Sequence, residues 1–230
     1  IIDLQSKFRN TVILKKIKSK IFYSPTLNFS FSSEKKNYIS AKNNIDNILL
    51  NLEKLLEINI PLINYDINKI DKVFFDEAKK LLPDNDYIGF SITQGNKYRK
   101  KTWPTEKFIN VANNLNNQIP VFFIEKNNKQ LIEEISSRVK KAIFPETNTS
   151  ISCPALITAL STRLKKAITI DNGIMHMMGL ANIPMITLFG PTNSEKFAPK
   201  KRNVIILDSK KLYNSNDISK ITETDVLREI

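Results

Sequence analysis

The sequence predicts an α/β protein of two Rossmann-like domains that face a cleft. Strand-like and helical segments alternate along its 230 residues, and a cluster of turn-forming residues at Pro83 separates them into two groups. The predicted strands are 1–4, 20–23, 87–92, 120–124, 142–144 and 204–207, with two more inside 167–192. The predicted helices are 5–17, 45–58, 73–82, 104–115, 129–139, 154–160 and 217–230, with a short one inside 167–192.

Residues 1–83 form the first predicted domain, and residues 84–230 form the second. In the first domain, strand 1–4 is apolar and is expected to be buried, whereas the polar, aromatic segment 24–40 is expected to be a loop. Because a buried strand seldom starts a natural protein at its first residue, we expect the first domain to be incomplete, with its amino-terminal part outside this sequence.

Composition limits the classes of protein that need to be considered. No run of about 18 apolar residues occurs, so no membrane-spanning helix is predicted. The one cysteine, Cys153, excludes a disulfide framework and is typical of a reducing cytoplasm. One cysteine and one histidine do not supply the ligands of a structural zinc site, and we predict neither a metal nor a cofactor.

The formal net charge of +12 indicates an anionic partner or surface. Nucleic acid, phospholipid and phosphorylated glycolipid all fit, and the Lys, Asn and Ile content of an AT-rich genome is an alternative explanation of the charge. No basic run is interleaved with stacking aromatic residues, and no nucleic-acid-binding module is recognisable. Nucleic acid is therefore not the partner that we predict, although the charge alone keeps a nucleic-acid binder as an alternative.

Segment 167–192 has the pattern of a strand, a short helix and a second strand, which is typical of a parallel sheet. Asp171, Asn172 and Gly173 fall where the first strand ends and the helix begins, the corner at which open α/β sheets bind ligands. Either Asp171 or Asn172 can cap the helix, and Gly173 lets a ligand approach the backbone. His176 lies on the first helical turn. The pattern predicts a site for an anion such as a diphosphate; the alternative is a buried unit with a capped turn and a core histidine.

Two motifs in this segment resemble the donor site of the ADP-heptose:lipopolysaccharide heptosyltransferases, glycosyltransferase family 9. Residues 171–176 read DNGIMH, where that family has Asp-(Ser/Thr)-Gly-x-x-His, and residues 189–192 read FGPT, where it has (Phe/Tyr)-Gly-Pro-(Ser/Thr). Asn172 replaces the usual hydroxyl residue. The family's Lys-x-Trp-Pro motif is matched by residues 101–104. Weaker matches are Asp3, Leu4, Gln5 and Arg9 in the acceptor domain, and Ile221, Thr222 and Val226 at the closing helix.

The resemblance implies a GT-B fold, with residues 1–83 as the partial acceptor-side domain and residues 84–230 as the donor domain. It implies an inverting transfer of heptose from ADP-heptose to the inner core of lipopolysaccharide, in the cytoplasm and peripherally on the inner membrane. The residues that it assigns to the donor are Thr93, Gln94, Gly95, Lys101, Asp171, Asn172, Gly173 and His176. Those that it assigns to the acceptor side are Asp3, Gln5 and Arg9.

The roles within the donor site also follow from the resemblance. Lys101, with the helix start at Asn172 and Gly173, would hold the diphosphate, Asp171 the sugar hydroxyls, and His176 the donor or the turn itself. Glu125 and Gln130 are candidates for the ribose, and Arg99 is interpreted as plain surface charge. The family's general base lies in the expected missing segment, so we expect this chain to bind nucleotide without transferring sugar.

Two further alternatives remain open at the level of the sequence. One is another GT-B nucleotide-sugar transferase or epimerase, since the same fold serves several donors. The other is a catalytically silent, GT-B-like glycan-binding module, suggested by the absence of a glycine-rich turn after strand 120–124.

Overall fold

A computed structural model describes residues 1–5, 7–33, 38–61, 66–83, 86–95, 97–200 and 203–230. The chain divides into two compact units, Ile1–Asn64 and Tyr65–Ile230. Three predictions fall partly outside the described residues, namely the helix 5–17, at Ser6, the loop 24–40, at 34–37, and the breaker cluster after Pro83, at Asp84 and Asn85.

The second unit is built on one parallel sheet of five strands. The strands are β1 (Tyr87–Ser91), β2 (Ile119–Phe123), β3 (Leu164–Ile170), β4 (Met185–Phe189) and β5 (Val204–Asp208). They lie in the order β2-β1-β3-β4-β5, and every neighbouring pair is parallel. Strands β1 and β4 are buried along their whole length, as expected for short apolar runs that helices cover on both faces.

Ten α-helices are present among the described residues, and most of them cover the sheet. They are α1 (Phe8–Lys15), α2 (Asn44–Leu56), α3 (Lys72–Leu81), α4 (Thr105–Asn113), α5 (Lys129–Arg138), α6 (Pro154–Ser161), α7 (Gly173–Leu180), α8 (Ser194–Phe197), α9 (Ser209–Tyr213) and α10 (Glu223–Leu227). Helices α4, α5 and α10 contribute to one hydrophobic core, whereas α3, α6 and α7 contribute to the other. Alternate strand residues such as Ile168 and Ala167 enter opposite cores, which makes a three-layer α/β unit.

The strand order contains one reversal of direction. The chain passes from β1 outward to β2 and then returns to place β3 on the other side of β1. The loops that follow β1 and β3 therefore leave their strands in opposite directions, which opens a crevice between them. The corner predicted at residues 171–173 lies at this topological switch point.

The structure confirms the α/β class and differs from the predictions in several elements. Segment 142–144 makes only a single parallel bridge, from Ile143 to Val121. Segment 217–230 is a 3₁₀ turn (Ile218–Lys220) followed by α10, because Thr222 forms a capping box that starts a new helix. Helices α8 and α9 were not predicted, since each is only four or five residues long.

Helix α3 packs with the second unit, where Ala78 and Leu82 are buried in the same core as Leu160. The division between the compact units therefore comes before α3, whereas the sequence predicts a boundary after it. The breaker at Pro83 ends a helix that already belongs to the sheet. The interpretation of the two units as acceptor-side and donor-side domains stays a prediction.

The prediction that strand 1–4 is buried is wrong. Ile2 and Leu4 are 46% and 47% exposed, and Ile2 makes only a single parallel bridge, to Tyr23. Because side chains alternate along an extended segment, Asp3 faces inward instead, where its carboxylate accepts hydrogen bonds from Thr11 (2.5 Å) and Ser24 (3.0 Å). A buried polar cluster takes the place of the expected apolar one.

A glycine directly after β4, Gly190, allows a close approach of two segments. A Cβ atom added to Gly190 would lie 2.6 Å from the Cβ atom and 2.8 Å from the backbone nitrogen of Ile218. We predict that Gly190→Ala lowers the free energy of unfolding by about 2 kcal/mol, because the overpacked segment must shift. Urea denaturation measures this change.

The matched control is Gly95→Ala, since an added Cβ atom at Gly95 meets nothing within 4 Å. Its effect on stability should be within about 0.5 kcal/mol. Equal losses in the two variants would contradict the assigned role of Gly190.

Candidate functional site

A pocket of about 710 Å³ lies in the second unit at the carboxyl ends of β1, β3 and β4. Three loops form its wall, one after each of these strands. The lining residues are Gln94, Gly95, Arg99, Lys101, Asp171, Asn172, Gly173, His176, Pro191, Thr192 and Phe197. The pocket therefore occupies the switch point, where this class of sheet binds ligands.

The Asn172 side chain joins two of these loops. Its Oδ1 atom accepts a hydrogen bond from the backbone N–H of Met175 (2.9 Å), which caps helix α7. Its Nδ2 atom donates to the Ser91 hydroxyl (2.7 Å) and to the Thr93 carbonyl (2.8 Å) at the end of β1. A serine or threonine at this position could cap the helix but could not also make two bonds across to β1.

The amino-terminal end of helix α7 at Gly173, called the helix mouth below, is open beside this cap. A Cβ atom added to Gly173 would meet no atom within 4 Å, so the glycine does not serve close packing there. The first turn of α7, which begins at Gly173, carries the backbone N–H groups and the positive dipole end that attract anions to a helix start. The arrangement suits a phosphate group that approaches the backbone directly.

An ion pair lies next to the helix mouth. The Lys101 ammonium binds the Asp171 carboxylate, although the two residues are 70 positions apart, and both are more than nine-tenths buried. The Lys101 backbone N–H also donates to the Gln94 side chain (2.9 Å), which closes the loop after β1. The pocket therefore holds a buried, paired charge of each sign that a polar ligand can reach.

The Trp103 side chain fixes the loop that carries Lys101. It is fully buried, and its indole N–H donates to the carbonyl of Ile221 (2.9 Å). The Lys107 ammonium donates to the same carbonyl (2.7 Å) and lies 5.7 Å from the centre of the Trp103 ring. The Lys-x-Trp-Pro segment and the Ile-Thr segment before α10 are thus parts of one support behind the pocket.

His176 lies on the pocket side of α7, where its side chain is partly covered by the pocket and partly open to solvent. Partial burial of the imidazole lowers its pKa below the usual 6.5; the nearby Asp171 carboxylate raises this pKa and the Lys101 ammonium lowers it. The imidazole is therefore neutral at pH 7, and it can donate or accept a hydrogen bond without adding charge.

The structure brings most of the predicted donor residues together. Gln94, Gly95, Lys101 and His176 line one pocket with the corner 171–173. Thr93 does not line it and contributes its carbonyl to Asn172 instead. Four lining residues were not among the predicted ones, namely Arg99, Pro191, Thr192 and Phe197.

Two of these residues show what the sequence pattern missed. Arg99, which the pattern assigns to surface charge, is exposed but lines the pocket. The hydroxyl oxygen of Thr192, the last residue of the FGPT motif, is buried and has no hydrogen-bond partner among the residues that the structure describes. The motif itself was the signal that could have placed Thr192 at the site.

The predicted acceptor-side residues lie in the first unit. Asp3 and Gln5 line a pocket of about 460 Å³, and Arg9 is exposed on α1. The Gln5 side chain accepts a hydrogen bond from Asn10 (2.6 Å), and Asp3 is committed to the buried cluster around Thr11. Their role towards an acceptor stays a prediction.

Glu125, a ribose candidate, lines a separate pocket of about 220 Å³ beyond the end of β2. Glu146 lines it too, and its pKa is raised by burial and by the nearby Glu125 carboxylate. Gln130, the other candidate, is not among the residues that line this pocket.

The described residues contain no group of three or more His, Cys, Asp or Glu side chains that could hold a metal ion. In the same part of the chain, no helix has the length and apolar character needed to cross a membrane.

Sheet order and the pocket at the switch point together define a Rossmann-like α/β unit. Solved structures that share the fold are GT-B glycosyltransferases. The chain therefore has the GT-B fold.

The chain belongs to glycosyltransferase family 9 (heptosyltransferase), because the model of that family matches residues 1–226. This confirms the resemblance on which the sequence analysis relied. A comparison with curated protein sequences found no match.

Three solved structures resemble the chain. A family 9 glycosyltransferase from Veillonella parvula has a TM-score of 0.75 at 20% identity, over 99% of this chain and 71% of that one. The E. coli heptosyltransferase WaaC with ADP has a TM-score of 0.70 at 14% identity, over 99% and 70%. The E. coli ADP-heptose lps heptosyltransferase II has a TM-score of 0.58 at 18% identity, over 76% and 54%. At these identities the likeness shows the fold.

The Asn172 bridge gives a first prediction for the site. Asn172→Ser keeps an oxygen that can cap α7 but loses both bonds from Nδ2 to β1. We expect it to lower the free energy of unfolding by about 1–2 kcal/mol, because Ser91 and the Thr93 carbonyl lose a partner in a partly buried place. Chemical denaturation measures the loss.

Asn193→Ser is the control, since the Asn193 side chain caps α8 through the backbone N–H of Lys196 (3.3 Å). It should change stability by less than about 0.5 kcal/mol, as serine replaces asparagine well at a helix start. If the two variants lost the same amount, Asn172 would act only as a cap.

The buried ion pair gives the second prediction. Lys101→Met leaves the Asp171 carboxylate buried without its cation, and we expect unfolding to become easier by about 3 kcal/mol. Arg138→Met breaks the exposed pair with Glu106, whose hydrogen bonds are 2.6 Å long, and should lower stability much less, because solvent screens that pair. Urea denaturation compares the two variants, and losses of equal size would show that the Lys101 pair is not desolvated.

Proposed function

We propose that this chain binds ADP-heptose as the donor for an inverting transfer of heptose to the inner core of lipopolysaccharide. The observation that carries the proposal is the open mouth of α7 beside the Lys101–Asp171 pair, in a pocket of about 710 Å³. The pocket has the volume of a small-molecule site and offers an anion both helix-terminal N–H groups and a cation. ADP in the related heptosyltransferase WaaC supports an adenine nucleotide.

Each charged group of the pair has a role in this proposal. The donor diphosphate lies against the backbone at Gly173, and Lys101 contacts the phosphate that leaves with the nucleotide. Asp171, released from part of its contact with Lys101, accepts hydrogen bonds from the sugar hydroxyls. His176, neutral at pH 7, adds a hydrogen bond to the donor or holds the turn. Pairing in the free protein keeps both charges in place and avoids an uncompensated buried charge.

The chemistry needs positive charge at the departing phosphate. The acceptor hydroxyl attacks the anomeric carbon from the face opposite the nucleotide, and the bond from that carbon to the phosphate oxygen breaks. Its electron pair stays on the diphosphate, so negative charge grows there. An ammonium group and helix-terminal N–H groups that are already in position stabilise this charge without reorganisation.

The acceptor and the location complete the proposal. A phosphorylated lipopolysaccharide core is anionic, and the net charge of +12 is complementary to it. We propose that the protein acts in the cytoplasm, at the surface of the inner membrane. ADP-heptose is named in the description of the related E. coli heptosyltransferase II, which supports this donor.

A thermal-shift panel of ADP-, UDP- and GDP-sugars tests the donor. An ADP-sugar at 100 times its Kd should stabilise the protein by about 2.7 kcal/mol, whereas the UDP- and GDP-sugars, which carry the same diphosphate, should stabilise it less. A larger shift with UDP- or GDP-sugars would indicate another GT-B transferase or an epimerase. An unchanged melting temperature with every nucleotide would favour a glycan-binding module.

A blocked helix mouth provides the control variant. Gly173→Val places a branched side chain where an added Cβ atom meets nothing, so the fold should be kept. The side chain should fill the phosphate position and abolish the ADP-sugar shift. A variant that melted normally and still bound the ADP-sugar would contradict the proposed position of the diphosphate.

A further inference from the structure

We propose that Arg99 is a second cation for the donor diphosphate, at the rim of the pocket. The inference rests on the proposed function and adds a binding residue to that site.

The charges of the residues that line the pocket indicate a role for Arg99. Lys101 and Asp171 bind each other and cancel, and the lowered pKa of His176 leaves its imidazole neutral at pH 7. Arg99 is the remaining ionisable side chain among the residues that line the pocket. A sugar-linked diphosphate carries two negative charges, and without Arg99 it would meet only the partial charge at the start of α7 and the Lys101 ammonium, whose charge the Asp171 carboxylate offsets.

The loop after β1 holds Arg99 at the rim. The bond from the Lys101 backbone N–H to the Gln94 side chain (2.9 Å) closes the loop, and Lys97–Arg99 form a 3₁₀ turn inside it. Lys100 then takes a left-handed conformation, with φ of 48°. This conformation is costly for a residue other than glycine, and such strain is common at ligand-binding loops. It turns the chain sharply between exposed Arg99 and buried Lys101.

The Arg99 side chain is free to move onto a ligand. It is exposed and makes no hydrogen bond or ion pair with any residue that the structure describes. A guanidinium group presents paired N–H donors that match two phosphate oxygens, and it stays charged at every pH of interest. Lys101 can therefore keep part of its contact with Asp171 while Arg99 binds the outer oxygens of the diphosphate.

Calorimetric titration with ADP tests the inference. Arg99→Gln should weaken ADP binding at least tenfold and make the Kd less dependent on salt, because an exposed charge contact is lost. Arg99→Lys should recover part of the affinity, because lysine keeps the positive charge. The recovery should be incomplete, because lysine lacks the paired N–H donors of the guanidinium group. Binding of adenosine, which has no phosphate, should be the same in all variants.

Lys100→Gln is the matched control, because Lys100 is the next residue, is exposed and does not line the pocket. Its ADP affinity should stay within about twofold of the wild type. Equal losses in the Gln variants of Lys100 and Arg99, or no loss at Arg99, would overturn the inference while the proposed function stood. A wild-type chain that bound no nucleoside diphosphate would overturn both.

Discussion

The pocket depends on the three hydrogen bonds that the side-chain amide of Asn172 makes to α7 and to the end of β1. In a doubly wound sheet the loops at the switch point diverge, and nothing in the strand pairing fixes one loop against the other. Asn172 supplies that connection, because its carbonyl caps α7 and its amino group binds the end of β1 at Ser91 and Thr93. The helix mouth and the loop that leads to Lys101 are thus held by a single planar group.

The Lys101–Asp171 pair depends on this frame, because two buried charges stabilise each other only when their geometry is held. The position of Asp171 is fixed by the turn at the end of β3 and by the cap of α7. The position of Lys101 is fixed by the neighbouring Trp103, whose indole N–H binds the carbonyl of Ile221 behind the pocket. A ligand with both phosphate and hydroxyl groups can replace the contacts that the charges make with each other, whereas a purely apolar ligand would leave both charges unsatisfied. A sugar phosphate, the class of ligand in the proposed function, would meet this requirement.

Much of this arrangement could be predicted from the sequence, for a physical reason. The corner 171–173 combines a cap, an open glycine and a parallel strand end, and each of these is a local property of a few adjacent residues. The meeting of Lys101 with Asp171 was implied by a family resemblance, since their separation along the chain gives no local signal. The burial of strand 1–4 was predicted wrongly, because apolar residues at Ile2 and Leu4 cannot show which side of the backbone is covered.

The positions of Arg99 and α3 also could not be predicted from local sequence patterns. A charged residue in a basic loop has the same local pattern whether it faces solvent or a pocket, so the position of Arg99 depends on how the Gln94 side chain closes the loop. The amphipathic pattern of α3 shows that it packs against something, but the choice of partner is made by Ala78 and Leu82 in the core of the sheet. Local patterns define elements, and tertiary contacts decide which unit receives them.

Asn172 replaces the hydroxyl residue that is usual in the family, and this replacement affects how the diphosphate would be held. A hydroxyl residue in its place could cap α7 and still turn a donor towards a phosphate. Asn172 has committed its carbonyl to the cap and its amino group to β1, so it has little left to offer a ligand. In the proposed function, the phosphate is then held by backbone N–H groups at the start of α7 and by cations from the loop after β1. A more rigid frame in this chain is therefore coupled to a greater dependence on the positive charge of that loop.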